Sequence, residues 1–215
     1  MNKFLKQNPN GFLLSLISTT IQFLHFISPV EILKKISGGR FENSHLTGEA
    51  PEISKAINNN VVDLFITAKW LYLAILIVFR WGGIINLIVI CVLMFFNLFT
   101  YFFYHVWHPE SLVGEGITVT RVRRRLIAIL LAIAFSHLGF AYLYYVQFPR
   151  DFVNNAAGGF IHWFWFSASN AVAANYDAIK PFTCRGYHLS MVQLLVSFIF
   201  ITLILSKSLP NAKAE

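Results

Sequence analysis

Long apolar runs broken by short polar stretches dominate this chain, and strict alternation is rare. A membrane-crossing helix needs about 20 mostly apolar residues. Three runs reach that scale without an internal charge: Gly83 to Val106, Leu126 to Gln147, and Leu189 to Ser206, the last closed by Lys207. A fourth, Val61 to Phe79, contains Asp63 and Lys69. Asp63 suits an interface, while a lysine at the centre of a span costs about 3 kcal/mol unless it snorkels or is paired. Arg80-Trp81-Gly82-Gly83 then reads as a tight hairpin between the first two spans. Tyr142, Tyr144 and Tyr145 give the third span an aromatic belt at its end.

Between the third and fourth spans lies Phe160 to Ala171 (FIHWFWFSASNA), too apolar for a simple loop and too short to cross. Gly158-Gly159 breaks the chain before it. Backbone dipping into a bilayer is tolerated only where protein or water surrounds it, so a re-entrant segment is expected. The first 60 residues differ in kind. Phe12 to Ser28 places Ser15, Ser18, Gln22 and His25 at steps of three and four, on one helical face. That makes an amphipathic helix, expected to end near Pro29 and to be followed by a short basic segment, EILKK. It suits either a membrane surface or a cytoplasmic plug beneath a pore. Gly38 to Asn60 has turn formers and no apolar period, and is expected to be a linker.

Composition points the same way. Of 215 residues 56% are hydrophobic and 13% charged, with 22 Phe, where a soluble domain carries about 25% charged residues. A soluble enzyme, a disordered regulator and a secreted disulfide scaffold are poor fits, and Cys91 and Cys184 cannot make a disulfide framework. The net charge of +7 would suggest nucleic acid in a soluble protein. In a membrane protein, basic residues gather in cytoplasmic loops instead. Arg121, Arg123, Arg124 and Arg125 stand just before the third span and set that end inside. Both termini are then cytoplasmic, which leaves twelve of the 17 Lys and Arg inside. A multi-pass protein of a bacterial inner membrane is expected.

Helix, short helix, extended segment, helix is the order of pore-loop channels, and particular residues sharpen the likeness. Phe166-Ser167-Ala168, then Ala171 to Thr183 (AVAANYDAIKPFT), then the final apolar helix resemble the pore of the potassium channel superfamily. That family has an FSA-type pore helix, a T-V-G-Y-G-D filter, an aliphatic residue, and a proline followed two residues later by threonine. Phe166, Ser167, Ala168, Tyr176, Ile179, Pro181 and Thr183 fall in register without a gap. The likeness covers about 126–207, and the first half of the chain has no such match. It implies a homotetramer, because the central pathway needs four loops and one chain supplies one. Inorganic ions are the implied cargo and the lipid bilayer the surroundings. The departures are specific: Ala173 replaces the filter threonine, and Asn175 and Asp177 replace both glycines. The pore loop Ala173, Ala174, Asn175, Tyr176 and Asp177 is therefore not expected to hold dehydrated potassium.

The expected fold is an all-α membrane protein with four transmembrane helices, a re-entrant pore loop between the third and fourth, and an N-terminal amphipathic helix. Its parts are an amphipathic region (1–37), a linker (38–60), the first hairpin with its cytoplasmic connection (61–125), a pore domain (126–207) and a tail (208–215). Ser190, Gln193 and Ser197 share a face of the last helix and are expected to line water, with Phe200, Ile201 and Ile204 as an apolar gate. The arginine cluster could contact anionic lipid, a nucleotide or nucleic-acid ligand, or a regulatory protein. His105 and His108 stand three apart at a helix end with no third metal ligand evident, so interfacial histidines are expected and no metal. His137 and His162 are intramembrane titratable groups for which a neutral, hydrogen-bonded imidazole suffices. No enzyme motif and no cofactor signature is present. The expected function is a weakly selective homo-oligomeric ion channel, gated by an N-terminal or cytoplasmic element or ligand. A membrane-depolarising effector of anti-phage defence is one such context. The alternative is a non-conducting membrane scaffold or regulatory subunit.

Overall fold

The computed structural model describes residues 12–38, 50–107, 119–155 and 159–205, and the chain divides into two compact units, 1–67 and 68–215. The first holds α1 (Phe12–Phe26), α2 (Pro29–Gly38) and the start of α3 (Ala50–Val78). Helix α1 ends before Pro29 as expected, and Pro29 opens a second helix that carries the basic segment. Proline is suited to a first helical position, where its missing N–H leaves no bond unmade. Ile32 N–H closes the first turn on the Ser28 carbonyl at 3.0 Å. Across the corner, His25 Nε2 stands 3.7 Å from Glu31 Oε1, and Lys35 Nζ lies 3.4 Å from the centre of the Phe26 ring. Leu13, Leu16, Phe23 and Phe26 are exposed.

The expected linker over 38–60 is corrected in part, since α3 begins at Ala50. Pro51 and Glu52 are favoured first-turn residues. Hydropathy marks only the stretch from Asn60 onward.

The second unit continues α3 from Ala68. It adds α4 (Ile84–Phe102), α5 (Val119–Tyr142), β1 (Phe152–Asn154), α6 (Phe160–Ala171), β2 (Ile179–Pro181) and α7 (Cys184–Phe198). π-helical turns extend α4 to Trp107, α5 to Gln147 and α7 to Leu205. Among the described residues, four helices are long and apolar enough to cross a membrane: 60–78, 84–107, 126–147 and 184–202. The last begins at Cys184 rather than Leu189. The Thr183 hydroxyl accepts the Gly186 N–H at 3.2 Å, so a cap starts the helix in sequence too polar to show as a span.

The α3–α4 turn is as tight as the sequence suggests. Arg80 takes a left-handed φ of 51° and Gly83 one of 112°, the second open only to glycine at little cost. Side chains satisfy the turn's carbonyls. Asn86 Nδ2 donates to Trp81 O and Gly82 O, at 3.2 and 3.1 Å. Tyr142 Oη donates to Trp81 O at 2.8 Å and Gln147 Nε2 to Gly83 O at 3.3 Å. Tyr72 Oη completes the set by donating to Asn86 Oδ1 at 2.8 Å.

The outside of this unit is apolar as well as its core, and several polar side chains are buried. Ile84, Ile85, Ile88, Val92 and Phe95 form an exposed apolar stripe along α4, while Lys69, Asn97, Ser136, Ser167 and Gln193 are buried. Lipid tails are as apolar as the core, so polar atoms gain by meeting one another inside. Lys69, at the middle of its span, neither snorkels nor meets a carboxylate. Its Nζ donates to Asn97 Oδ1 at 2.5 Å and lies 4.6 Å from the centre of the Phe135 ring. Asn97 Nδ2 in turn donates to the Ala132 carbonyl at 2.9 Å. This relay ties α3, α4 and α5 together at depth.

Asn97→Leu is expected to lower stability by about 2 kcal/mol, because it leaves the lysine amine buried without an acceptor. Adding Lys69→Leu should recover most of the loss. Unfolding in detergent followed by circular dichroism measures both. Equal losses in the single and double variants would mean that Asn97 acts through packing alone.

Candidate functional site

Helix α6 is flanked by the two strands. They pair antiparallel, Phe152 opposite Pro181, Val153 opposite Lys180 and Asn154 opposite Ile179, and Asn155 N–H extends the ladder to Ala178 O at 2.8 Å. Everything between them therefore leaves and returns at one place. At about 1.5 Å per residue, the 12 residues of α6 cover about 18 Å, well short of a bilayer. An aromatic cluster sets the helix's position: Tyr144 lies 4.9 Å from Phe152 and 5.1 Å from Phe166, and Phe152 lies 5.8 Å from Trp163, ring centre to ring centre. Edge-to-face geometry of this kind adds to the stabilisation from burial.

The clasp between the strands and α7 centres on Asp151. Its carbonyl accepts from Phe182 N–H at 2.9 Å and Thr183 N–H at 3.2 Å, and its Oδ1 accepts from the Thr183 hydroxyl at 2.5 Å. A Cβ on Gly186 would collide with that same carbonyl, so α7 approaches closely only because glycine stands there.

At the C-terminus of α6 the chain turns on Ala173 N–H to Asn170 O (3.0 Å) and Ala174 N–H to Ser169 O (2.8 Å). Ala173 has a φ of 56°, a left-handed conformation that costs a non-glycine residue about 1–2 kcal/mol. Among the described residues Arg80 and Ala173 are the non-glycine positions with positive φ. Asn175 and Asp177 are not among them, so neither carries such strain.

Val172, Ala173, Ala174, Asn175 and Asp177 are exposed, and Tyr176 is half-buried. Tyr176 Oη meets His162 Nδ1 of α6 at 2.7 Å, tying the loop to the helix. Asp177 is not a free carboxylate. Lys180 Nζ lies 3.0 Å from its Oδ1, and Asn175 Nδ2 donates to the same oxygen at 3.0 Å. The Lys180 ammonium, with help from Asn175, holds the carboxyl below its ordinary 3.8.

The stripe on α7 faces its own chain. Gln193 is wholly buried, and Ser190, Ser197, Phe200 and Ile204 are buried with it. Gln193 Nε2 donates to Ser167 O at 2.8 Å and to Ser167 Oγ at 2.6 Å. Gln193 Oε1 accepts from Tyr144 Oη at 2.6 Å and Asn170 Nδ2 at 2.9 Å. Asn170 Nδ2 also reaches Ser190 O at 2.9 Å, and Ser167 Oγ donates to His137 O at 2.8 Å. In this chain the polar face of α7 packs toward α5 and α6, with Gln193 bonded there and the Ser190 hydroxyl buried without a hydrogen-bond partner among the described residues. Of the expected gate, Phe200 and Ile204 pack with Ile129 and Ala132, and Ile201 is exposed. Sequence separation hid this arrangement, because Ser167 and Asn170 look like ordinary helix positions until α6 is laid against α7.

In the arginine cluster, Arg123 is exposed, and the side chains of Arg121, Arg124 and Arg125 lie outside the described residues, as does His108. His105 is buried and stacks on Tyr101 at 5.9 Å. His137 Nδ1 is buried without a hydrogen-bond partner among the described residues. Among those residues no group of three His, Cys, Asp or Glu is placed to hold a metal ion. One pair went unremarked in the sequence: Cys184 Sγ lies 3.8 Å from His188 Nδ1, and its signal was the four-residue spacing at a helix start. No family model, curated protein or solved structure matches the chain.

Two outcomes follow. Gln193→Leu should cost about 3 kcal/mol in unfolding experiments, since it orphans groups on α5 and α6 together, while Tyr144→Phe should cost about 1 kcal/mol because Asn170 still occupies the amide oxygen. The carboxyl of Asp177, followed by isotope-edited infrared spectroscopy, should titrate below 3.8, and Lys180→Met should move it upward. A carboxyl with a depressed folded value stabilises the fold above its unfolded pKa and loses that contribution as pH falls through the folded one. Asp177 is therefore ionised at neutral pH.

Proposed function

We propose that the chain is one subunit of a homotetrameric, weakly selective ion channel in which α6 and the Ala173–Asp177 loop form a re-entrant element around a central axis. The observation that carries this reading is the β1–β2 closure. A helix too short to cross is held between two that are long enough, and its loop is exposed where neighbouring copies would meet. Of the seven residues that resemble the potassium channel pore, Phe166, Ser167, Ala168 and Tyr176 lie in that element, and Ile179, Pro181 and Thr183 lie in β2 and at the cap of α7. Weak selectivity follows from the loop itself. Ala173 offers no hydroxyl, and Asn175 and Asp177 lack the left-handed backbone that a close cage of carbonyls would use.

In this reading a lumen along Ser190, Gln193 and Ser197 requires α7 to turn about its axis. Without the turn the lumen is bordered by Met191, Leu195 and Phe198, which are exposed and apolar and exclude water by dewetting. Gating by the N-terminal helices, or by a ligand or lipid at Arg121, Arg123, Arg124 and Arg125, belongs to the same proposal. So do both cytoplasmic termini and a role as a membrane-depolarising effector.

A second reading, a non-conducting scaffold or regulatory subunit, draws on the sealed polar stripe and the pairing of Asp177 with Lys180. Purified protein in liposomes separates the two. Conduction predicts salt-gradient-driven flux, with a reversal potential that favours cations weakly and shifts toward anions in Asp177→Asn. No flux from a folded tetramer would leave the scaffold, and sharp potassium-over-sodium selectivity would remove the account of the loop.

A further inference from the structure

We propose that Cys184 and His188 form a chelating site for a soft or borderline divalent cation of the zinc–cadmium class at the start of α7. The two residues are one helical turn apart and share a face. Both are exposed. Cys184 Sγ stands 3.8 Å from His188 Nδ1 and 3.9 Å from Nε2. A tetrahedral ion bound at about 2.3 Å to sulfur and about 2.0–2.1 Å to nitrogen holds those two atoms about 3.6 Å apart. The sulfur is nearly equidistant from the two ring nitrogens, so closing on an ion requires the imidazole to turn until one nitrogen lone pair faces the shared position, a rotation that the four-residue helical spacing accommodates.

The supporting frame is rigid. The Thr183 cap and the Asp151 clasp hold the first turn of α7, and the close approach at Gly186 fixes its seat against the strand connection. Two cations are near in sequence, and each faces a carboxylate: Lys180 lies 3.0 Å from Asp177 and Arg185 3.9 Å from Asp151. Their repulsion of an incoming dication is thereby reduced. Those carboxylates are engaged and are not needed as ligands. The ion would take sulfur and nitrogen from the chain, releasing the thiol proton to water, and complete its shell with water or with the same pair from a second copy. Soft thiolate with imidazole selects zinc, cadmium or copper(I) over magnesium or calcium. The site stands whether or not the protein conducts, since it rests on one chain's geometry.

The test is a cadmium titration of the full-length protein in lipid nanodiscs, followed by cadmium–thiolate charge-transfer absorption in the ultraviolet. Protection of Cys184 from a water-soluble maleimide is read in parallel. Binding should be lost in Cys184→Ser and unchanged in Cys91→Ser. His188→Ala should weaken it by about tenfold or more, given that even outer partners of metal ligands are worth about 10- to 100-fold. A stoichiometry of one ion per chain means water completes the shell, and one per two chains means that copies share it; either upholds the site. Undiminished binding in Cys184→Ser, an affinity unaffected by His188→Ala, or no cadmium binding by the folded wild-type protein would overturn it.

Discussion

Gln193 joins three helices with one side chain, and the second unit is organised around it. Its amide nitrogen donates to Ser167 on α6 and its oxygen accepts from Tyr144, in the turn that extends α5, and from Asn170 on α6. In hydrocarbon an amide cannot fall back on water, so each of these bonds replaces an unsatisfied group rather than a hydrated one. Helices that are apolar outside have little reason to prefer one partner or register over another, because lipid serves them as well. A buried amide with particular partners removes that freedom. The position of α6, and with it the start of the exposed loop, follows from where Ser167 and Asn170 must stand.

The Lys69–Asn97–Ala132 relay works by the same rule on the other side of the bundle. Desolvation would make a bare ammonium at mid-span unfavourable, and the chain offers it an amide oxygen and the face of Phe135. The aromatic cluster of Tyr144, Phe152, Trp163 and Phe166 then fills the space between α5, β1 and α6. At the end of the bundle, the Asp151 clasp converts the short β1–β2 pairing into a fixed root for α7. Polar bonds thus set which helices meet, and aromatic rings set how closely.

The loop beyond α6 is governed by local electrostatics. Asp177, Lys180 and Asn175 form a small closed set, and Tyr176 is anchored to His162. The loop is therefore not a ring of free carboxylates waiting for cations, and the cation preference proposed for it depends on what four copies do to the Asp177–Lys180 pair. Assembly would crowd those carboxylates, which raises their proton affinity, while each lysine opposes the shift. Each carboxylate faces one lysine, so the set holds as many basic groups as acidic ones.

How much of this was legible beforehand differs by element. The four apolar runs, the α3–α4 turn and the separate character of α6 could be read directly, because helix length against bilayer thickness is a property of consecutive residues. The shared face of Ser190, Gln193 and Ser197 was also legible, because helical period is local. What that face meets was not. A Gln193 satisfied by water and one satisfied by Ser167, Asn170 and Tyr144 have the same sequence on α7, and the difference lies in residues more than 20 positions away. The helical start of α3 within the polar 50–60 stretch and the cap at Thr183 were missed because hydropathy measures membrane preference and not hydrogen bonding. Sequence alone determined which long apolar segments are helical. Only the tertiary structure decided which polar groups pair inside, since that pairing depends on contacts between helices whose order along the chain does not reveal their depth or facing.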